Sequence, residues 1–281
     1  VELYKEIKKS REFSSNLFRS EKEYLEDPNP RNTTPRKNEN NFAEKFDLTF
    51  IEKNKTIKNF LLELIGDDYE IILKNFVVGV PDSWLPSWVK EKTKNLLAPN
   101  LGVYIKKEFR DMVYFRGIDY HMDYIDHQGT YGDNVTLYTY LNDVDIGMSP
   151  INVVEKSHIF GATKFPHRLK NHNPDKATIE YGSDDESYVK LKTKVFTGKT
   201  GNTYIWSAYV LHGTKPQTSD TARISLRYDF KPSQKSLNSR NPKIYKLLDK
   251  IKGKLTIPQV RDDVDLSSKD LKQVKSNKIL L

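Results

Sequence analysis

Between Val103 and Phe230 apolar and polar residues alternate with a period of two, the pattern a half-buried β-strand needs. The flanks carry the three-to-four spacing of amphipathic helices instead. The strand-like segments are VYIKKEF, MVYFRGI, the stretch around YHMDY, NVTLYTYL, INVVEKS, VKLKTKVF, NTYIWSAYVL and ARISLRYDF. Upstream, residues 1–27 predict a charged helix and PNPRNTTPRKNENN (28–41) a Pro/Asn-rich loop. FDLTFIEKN then predicts a strand, KTIKNFLLELIGD an amphipathic helix, YEIILKNFVVGVP a strand and SWVKEKTKNLLAP a helix. Downstream, NPKIYKLLDKIKG predicts a helix and the last twenty residues a polar tail. Helices before a run of short strands, with a helix after it, predict a mainly β fold with flanking helices. The expected core is a double-stranded β-helix, that is, a cupin-like jelly roll. We expect a single domain over 1–281, with an N-terminal helical and strand buttress at 1–100. The core would occupy 101–232 and the C-terminal helix and tail 233–281.

Length and composition fit one such domain. A chain of 281 residues buries a sizeable core. No run approaches the roughly 18 apolar residues of a membrane span. The charged VELYKEIKKSREF start lacks the apolar stretch of a signal peptide, and a cytoplasmic protein is expected. Cysteine is absent, which removes disulfides and thiolate ligands and leaves histidine and carboxylate as the metal-binding chemistry. The net charge of +8 raises nucleic acid as a partner, but the lysines are spread along the chain rather than clustered, so nucleic acid is not expected. Lys190, Lys192 and Lys194 alternate with Leu191, Thr193 and Val195, which reads as a solvated outer face or a charge-protected edge strand.

Chemistry concentrates at His121 and Asp123 in YHMDY and at His212 in WSAYVLHGT. Residues two apart on a strand leave from one face. Two imidazoles and a carboxylate form the facial triad of non-haem Fe(II) centres, with the opposite positions open. With 6 His and 38 acidic residues, one His-x-Asp/Glu arises by chance roughly once, so the pair alone decides nothing. The continuation past His212 carries more weight. Thr214 follows two positions later and Arg223 eleven later, opening a strand in which Arg223, Ser225, Arg227 and Asp229 share a face. A buried guanidinium beside a metal suits a carboxylate-bearing co-substrate, because its planar fork makes two parallel hydrogen bonds.

Taken together, His121-x-Asp123, His212, Thr214 and Arg223 resemble the phytanoyl-CoA dioxygenase-like branch of the Fe(II)/2-oxoglutarate-dependent oxygenases. NVTLYTYLNDVD resembles the strand that follows the first two ligands in that family, with Tyr138 at its aromatic position. INVVEKSHIFG matches a Pro-Gly-Ser-His segment at Ser157 and His158, but Glu155 and Lys156 replace the Pro-Gly. HGTKPQTSDTARISLRY resembles the closing stretch, and the likeness spans roughly Leu101 to Pro232.

The resemblance implies a metal held by His121, Asp123 and His212, and 2-oxoglutarate held by Arg223 and Thr214 with Tyr138 as wall or further donor. It implies a reaction with O2 that releases succinate and CO2 and attacks an unactivated C–H bond. Relatives that halogenate replace the carboxylate ligand with a small residue, so Asp123 favours hydroxylation. His127, Gln128, Trp206 and Arg227 are candidates for substrate contact, with an ion pair to Asp229 or another acid the competing role for Arg227 and His158 read as structural. HRLKNHNPDK and GSDDES form an insertion between core strands, either a lid or a surface excursion. Trp84 and Trp88 read as packing for a helix on the barrel. The expected substrate is a small or medium-sized polar metabolite, with the basic balance favouring an anionic one. Two other classes stay open: an oxygenase acting on a protein or nucleic acid, and a non-redox cupin-like isomerase or binding protein.

Overall fold

The structure, a computed structural model, describes residues 1–26, 40–66, 68–94, 96, 100–123, 134–161, 163, 167–182, 187–233, 235–236, 264–265 and 272–273. Eleven strands build its two main sheets. In chain order they are β1 (Tyr69–Gly79), β2 (Val113–Phe115), β3 (Ile118–His121), β4 (Val135–Tyr140) and β5 (Ile151–Val154). There follow β6 (Arg168–Asn173), β7 (Thr178–Gly182), β8 (Tyr188–Phe196), β9 (Thr203–Ser207), β10 (His212–Thr214) and β11 (Arg223–Pro232). One sheet runs β2-β1-β11-β4-β9 and the other β3-β10-β5-β8-β7-β6. Successive strands cross between the sheets: β3 to β4 to β5, then β8 to β9 to β10 to β11. That alternation is the winding of a double-stranded β-helix, so the fold is a mainly β jelly roll with flanking helices.

The alternation of β11 decides where the cores form. Ile224, Leu226, Tyr228 and Phe230 leave its outer face into the largest apolar cluster, which Ile7, Leu17, Phe42, Leu61 and Ile65 of the N-terminal segments complete. The helices there are α1 (Glu2–Ser10), α2 (Glu21–Glu26), α3 (Thr49–Glu52), α4 (Lys55–Ile65) and, further on, α5 (Ser87–Thr93). Trp88 of α5 packs on Tyr24 and Tyr104, with ring centroids 5.2 and 5.5 Å away. A second cluster, including Val77, Tyr138, Tyr140, Ile151, Val153 and Trp206, fills the space between the sheets. A third, with Tyr120, Val154, Ile179, Tyr181 and Leu211, lies behind the six-stranded sheet.

Several local expectations change. The 1–27 helix is broken, because Arg11 turns extended and its guanidinium pairs with Asp111 at 2.6 and 2.9 Å while lying 4.3 Å over the Phe42 ring. A reciprocal capping box then restarts the chain as α2. Glu23 accepts from the Ser20 amide at 2.6 Å, and Ser20 Oγ accepts from the Glu23 amide at 3.2 Å. FDLTFIEKN is not a strand: Asp47 accepts from the Thr49 amide and starts a helical turn, and Asn54 caps α4 through the amides of Thr56 and Ile57. VYIKKEF becomes two 3-10 turns; among the described residues its β partner is a single bridge from Ile105 to Phe18. The insertion after β5 supplies β6 and β7, which lengthen the six-stranded sheet. In the expected polar tail Val264–Asp265 pairs with Lys272–Gln273. The helix expected at NPKIYKLLDKIKG and most of the 28–41 loop lie outside the described residues.

Two predictions follow from local geometry. Arg11→Ala leaves Asp111, 3% exposed, without its bidentate partner. It should cost about 3–5 kcal/mol in urea unfolding; a loss under 1 kcal/mol would show that the pair is dispensable. Lys156 holds φ +61 in the left-handed region, where glycine carries no Cβ penalty. Lys156→Gly should therefore raise stability by roughly 0.5–1 kcal/mol, the relief of left-handed strain less the extra chain entropy of glycine.

Candidate metal centre

β3 and β10 pair antiparallel with His121 opposite His212, which brings the two imidazoles together at a ring-centroid distance of 4.3 Å. Gly117 makes this approach feasible: at φ +151, a Cβ there would lie 2.8 Å from the Pro216 backbone nitrogen. Asp123 follows directly after β3, and its Oδ1 lies 3.5 Å from His212 Nε2. One donor atom from each of His121, Asp123 and His212 lies within 4.8 Å of the others, and all three residues are buried.

Backbone carbonyls fix the imidazole tautomers. His121 Nδ1 donates to the Asp119 carbonyl at 3.0 Å and His212 Nδ1 to the Val210 carbonyl at 2.9 Å. In the neutral tautomer these contacts select, the Nε2 lone pair of each ring is the one available to a metal. Burial, helped by the neighbouring His212, pushes the His121 pKa down to about 3 and so keeps the ring neutral.

The carboxylate is held with equal care. Trp206 Nε1 donates to Asp123 Oδ2 at 2.9 Å, and Arg227 Nη2 donates to Asp123 Oδ1 at 2.9 Å. The Thr136 hydroxyl lies 2.7 Å from Asp123 Oδ2 and 2.9 Å from Asp229 Oδ1; its one proton serves one of them at a time. Arg227 also donates to Asp229, at 2.9 and 2.8 Å. Burial alone would raise the Asp123 carboxyl, but Arg227, His212, His121 and Thr136 outweigh it and hold the pKa well below the usual carboxylate range. Among the described residues, two buried carboxylates face one guanidinium, an arrangement that suits a divalent cation beside Asp123.

A cavity of about 440 Å³, its open mouth included, adjoins the three donors. Val77, Phe115, Ile118 and Ile151 give it apolar walls; Tyr138, Trp206, Thr214, Arg223 and Arg227 give it polar ones. Arg223 is 2% exposed. One of its terminal nitrogens donates to the Ser149 carbonyl, its Nε has no hydrogen-bond partner among the described residues, and its guanidinium carbon lies 5.8 Å from the Tyr138 ring centre. Thr214 Oγ1 accepts from the Ile118 amide at 3.2 Å. Ser225, fully buried on the same β11 face as Arg223 and Arg227, also has an unpartnered hydroxyl. Arg223 lines the cavity, and a buried donor without a partner there fits an anionic oxygen ligand. Of the sequence candidates, the structure gathers His121, Asp123, His212, Tyr138, Trp206, Thr214, Arg223 and Arg227 around one cavity. His158 is exposed, and His127 and Gln128 lie outside the described residues. The bonds to Asp123 from Thr136 and from Trp206 were not anticipated. Thr136 on NVTLYTYL shares a strand with Tyr138, but only the fold sets it beside β11.

Neither a family model nor a curated protein matches the sequence. Among solved structures the chain is similar to the apo form of the non-heme monooxygenase ThoJ, with 13% identity, 73% of this chain and 74% of that one covered, and a TM-score of 0.38. It is similar to EvdO2 from Micromonospora carbonacea var. aurantiaca complexed with 2-oxoglutarate, with 13% identity, 68% and 62% coverage and a TM-score of 0.39. The values for EctD from S. alaskensis with 2-oxoglutarate and 5-hydroxyectoine are 13%, 66%, 51% and 0.35. The chain spans 31% of the length of EvdMO1, 53% of the ThoJ–Ni complex chain and 39% of the epimerase SnoN. Likenesses this distant leave function to be argued from the site.

The metal-free protein should lose stability as pH falls from 7 to 5. His121 and the buried His167 both have pKa values pushed down to about 3 by burial, against 6.5 in the unfolded chain. The unfolded chain therefore binds protons below 6.5 that the folded chain refuses, so stability is complete above that pH and falls below it. His167→Gln should flatten the melting-temperature slope in this window by roughly one proton's share; an unchanged slope would refute the assignment. Separately, Arg227→Gln should weaken Fe(II) binding about 10- to 100-fold in anaerobic titration, because Asp123 loses its orienting charge. Undiminished affinity would leave Arg227 as a partner of Asp229 alone.

Proposed function

We propose that this protein is an Fe(II)- and 2-oxoglutarate-dependent oxygenase of the phytanoyl-CoA dioxygenase-like kind, hydroxylating an unactivated C–H bond of a small or medium-sized polar metabolite. The observation that carries the proposal is the pairing of the His121, Asp123 and His212 donor set with the buried, partly unpartnered Arg223 in one cavity. A metal-binding jelly roll without a co-substrate has no use for a buried guanidinium there, whereas a dicarboxylate ligand needs one.

His121 Nε2, His212 Nε2 and an Asp123 carboxylate oxygen are the iron ligands in this reading. Bound iron with 2-oxoglutarate and O2 supplies an oxidant able to hydroxylate C–H bonds, while 2-oxoglutarate becomes succinate and CO2. The protein's part is positional. Asp119 and Val210 carbonyls hold the rings; Arg227, Trp206 and Thr136 hold the carboxylate ionised and aimed. Arg223, with Thr214, takes the far carboxylate of 2-oxoglutarate. Tyr138 and Trp206 wall that ligand, and Val77, Phe115, Ile118 and Ile151 keep water from the reacting centre. Asp123 occupies the position that a halide would need, which favours hydroxylation.

The test is to add Fe(II) and 2-oxoglutarate anaerobically and record the visible spectrum. The wild type should develop a weak metal-to-ligand charge-transfer band. Arg223→Ala should need at least about 30-fold more 2-oxoglutarate to reach it, the cost of stranding a buried carboxylate. Iron bound without any band would point to the isomerase or binding reading. Loss of iron affinity with 2-oxoglutarate binding intact would overturn the role of Arg223.

A further inference from the structure

The lysine row of β8 is not on the outer face its alternation suggests. β8 pairs with β5 only over residues 193–196 and with β7 only over 188–192, so each half keeps one edge without a strand partner among the described residues, and the charged-edge expectation stands. Its register also sets the face. Lys194 is opposite Val153, and Val153 is opposite His212. Directly paired residues point to the same side of a sheet. Lys194, Lys192 and Lys190 therefore point to the concave side that carries His212, not to the outer side.

β8 changes surroundings along its length. Residues 193–196 pair with β5 inside the roll, where Phe196 stacks on Tyr204 of the facing sheet at 4.5 Å. Residues 188–192 pair with β7, in the extension built by the insertion. Lys170 of β6 joins the same face, 3.6 Å over the Tyr188 ring and 3.7 Å from Glu180. That bridge occupies Glu180, which stands opposite Lys190. Lys190, Lys192 and Lys194 are exposed and form no ion pair among the described residues. Neighbouring lysines in the row are roughly 7 Å apart, and the nearest begins two strands, about 10 Å, from His212.

We infer that this concave extension binds the phosphate-bearing tail of a small-molecule substrate, with Lys194, Lys192 and Lys190 as successive anion contacts leading away from the metal cavity. Three exposed ammonium groups in line, none paired with a carboxylate among the described residues, raise the local positive potential, and their long side chains can converge on the oxygens of a phosphate-bearing tail. The inference rests on the proposed function only for which end of the substrate reacts.

The probe is inorganic pyrophosphate, titrated calorimetrically into the full chain at low salt. K190Q/K192Q/K194Q should weaken binding about tenfold or more, at up to a few-fold per exposed charge. K53Q/K55Q/K58Q removes the same charge from the N-terminal buttress and should stay within about twofold. Equal weakening in both variants, or none in either, overturns the platform. So does an oligothymidylate whose binding needs the three β8 lysines when pyrophosphate binding does not; the surface would then belong to nucleic acid. The charge-transfer band should survive in the β8 variant. Its absence from the wild type would sink the oxygenase reading and leave the pyrophosphate result standing by itself.

Discussion

The Arg227 guanidinium ties the two sheets together where the chemistry is. It extends from β11 of the five-stranded sheet to Asp123, at the end of β3 in the six-stranded sheet, and it also holds Asp229 on its own strand. An ionised carboxylate as buried as Asp123 is tolerable only with such compensation. Remove the guanidinium, and burial would favour the protonated acid, which neither accepts the Trp206 and Thr136 hydrogen bonds as well nor ligates a metal as strongly. The inward face of β11 is therefore given over to charge, with Arg223, Ser225, Arg227 and Asp229 in succession.

That choice has a structural consequence. A strand whose inner face is polar contributes little apolar burial between the sheets, so stability has to come from its other face. Ile224, Leu226, Tyr228 and Phe230 provide it by packing against the N-terminal segments. The buttress is thus part of what allows a polar interior, and the buried Arg11–Asp111 pair anchors it to the segment just before β2.

The insertion between β5 and β8 illustrates the opposite economy. Its apolar residues Ile179 and Tyr181 join the cluster behind the six-stranded sheet, while the opposite face of the same strands stays polar and open. Adding two strands to one sheet without a counterpart in the other turns an enclosed roll into one with a projecting shelf. The cavity beside His121, Asp123 and His212 has apolar and aromatic walls, and Lys170, Lys190, Lys192 and Lys194 lie on the face that continues from it into the extension.

Sequence periodicity determined the mainly β class, the amphipathic α4, and the strands that carry His121 and Arg223, because a half-buried strand must alternate whatever it pairs with. NTYIWSAYVL reads as one strand, but only Thr203–Ser207 of it is β9, and His212 opens a separate β10. The spacing of His121 and Asp123, and of Arg223 and Arg227, placed each pair on a common face before any partner was known. Period alone misplaced FDLTFIEKN and VYIKKEF, where capping by Asp47 and the lack of a pairing strand outweighed alternation. It also left open which face of β8 is inside. Only tertiary structure set His121 opposite His212, put Thr136 and Trp206 on Asp123, and turned the lysines of β8 toward the concave side. Strand register is a long-range property: it depends on which strand lies alongside, and a period of two reads the same from either face.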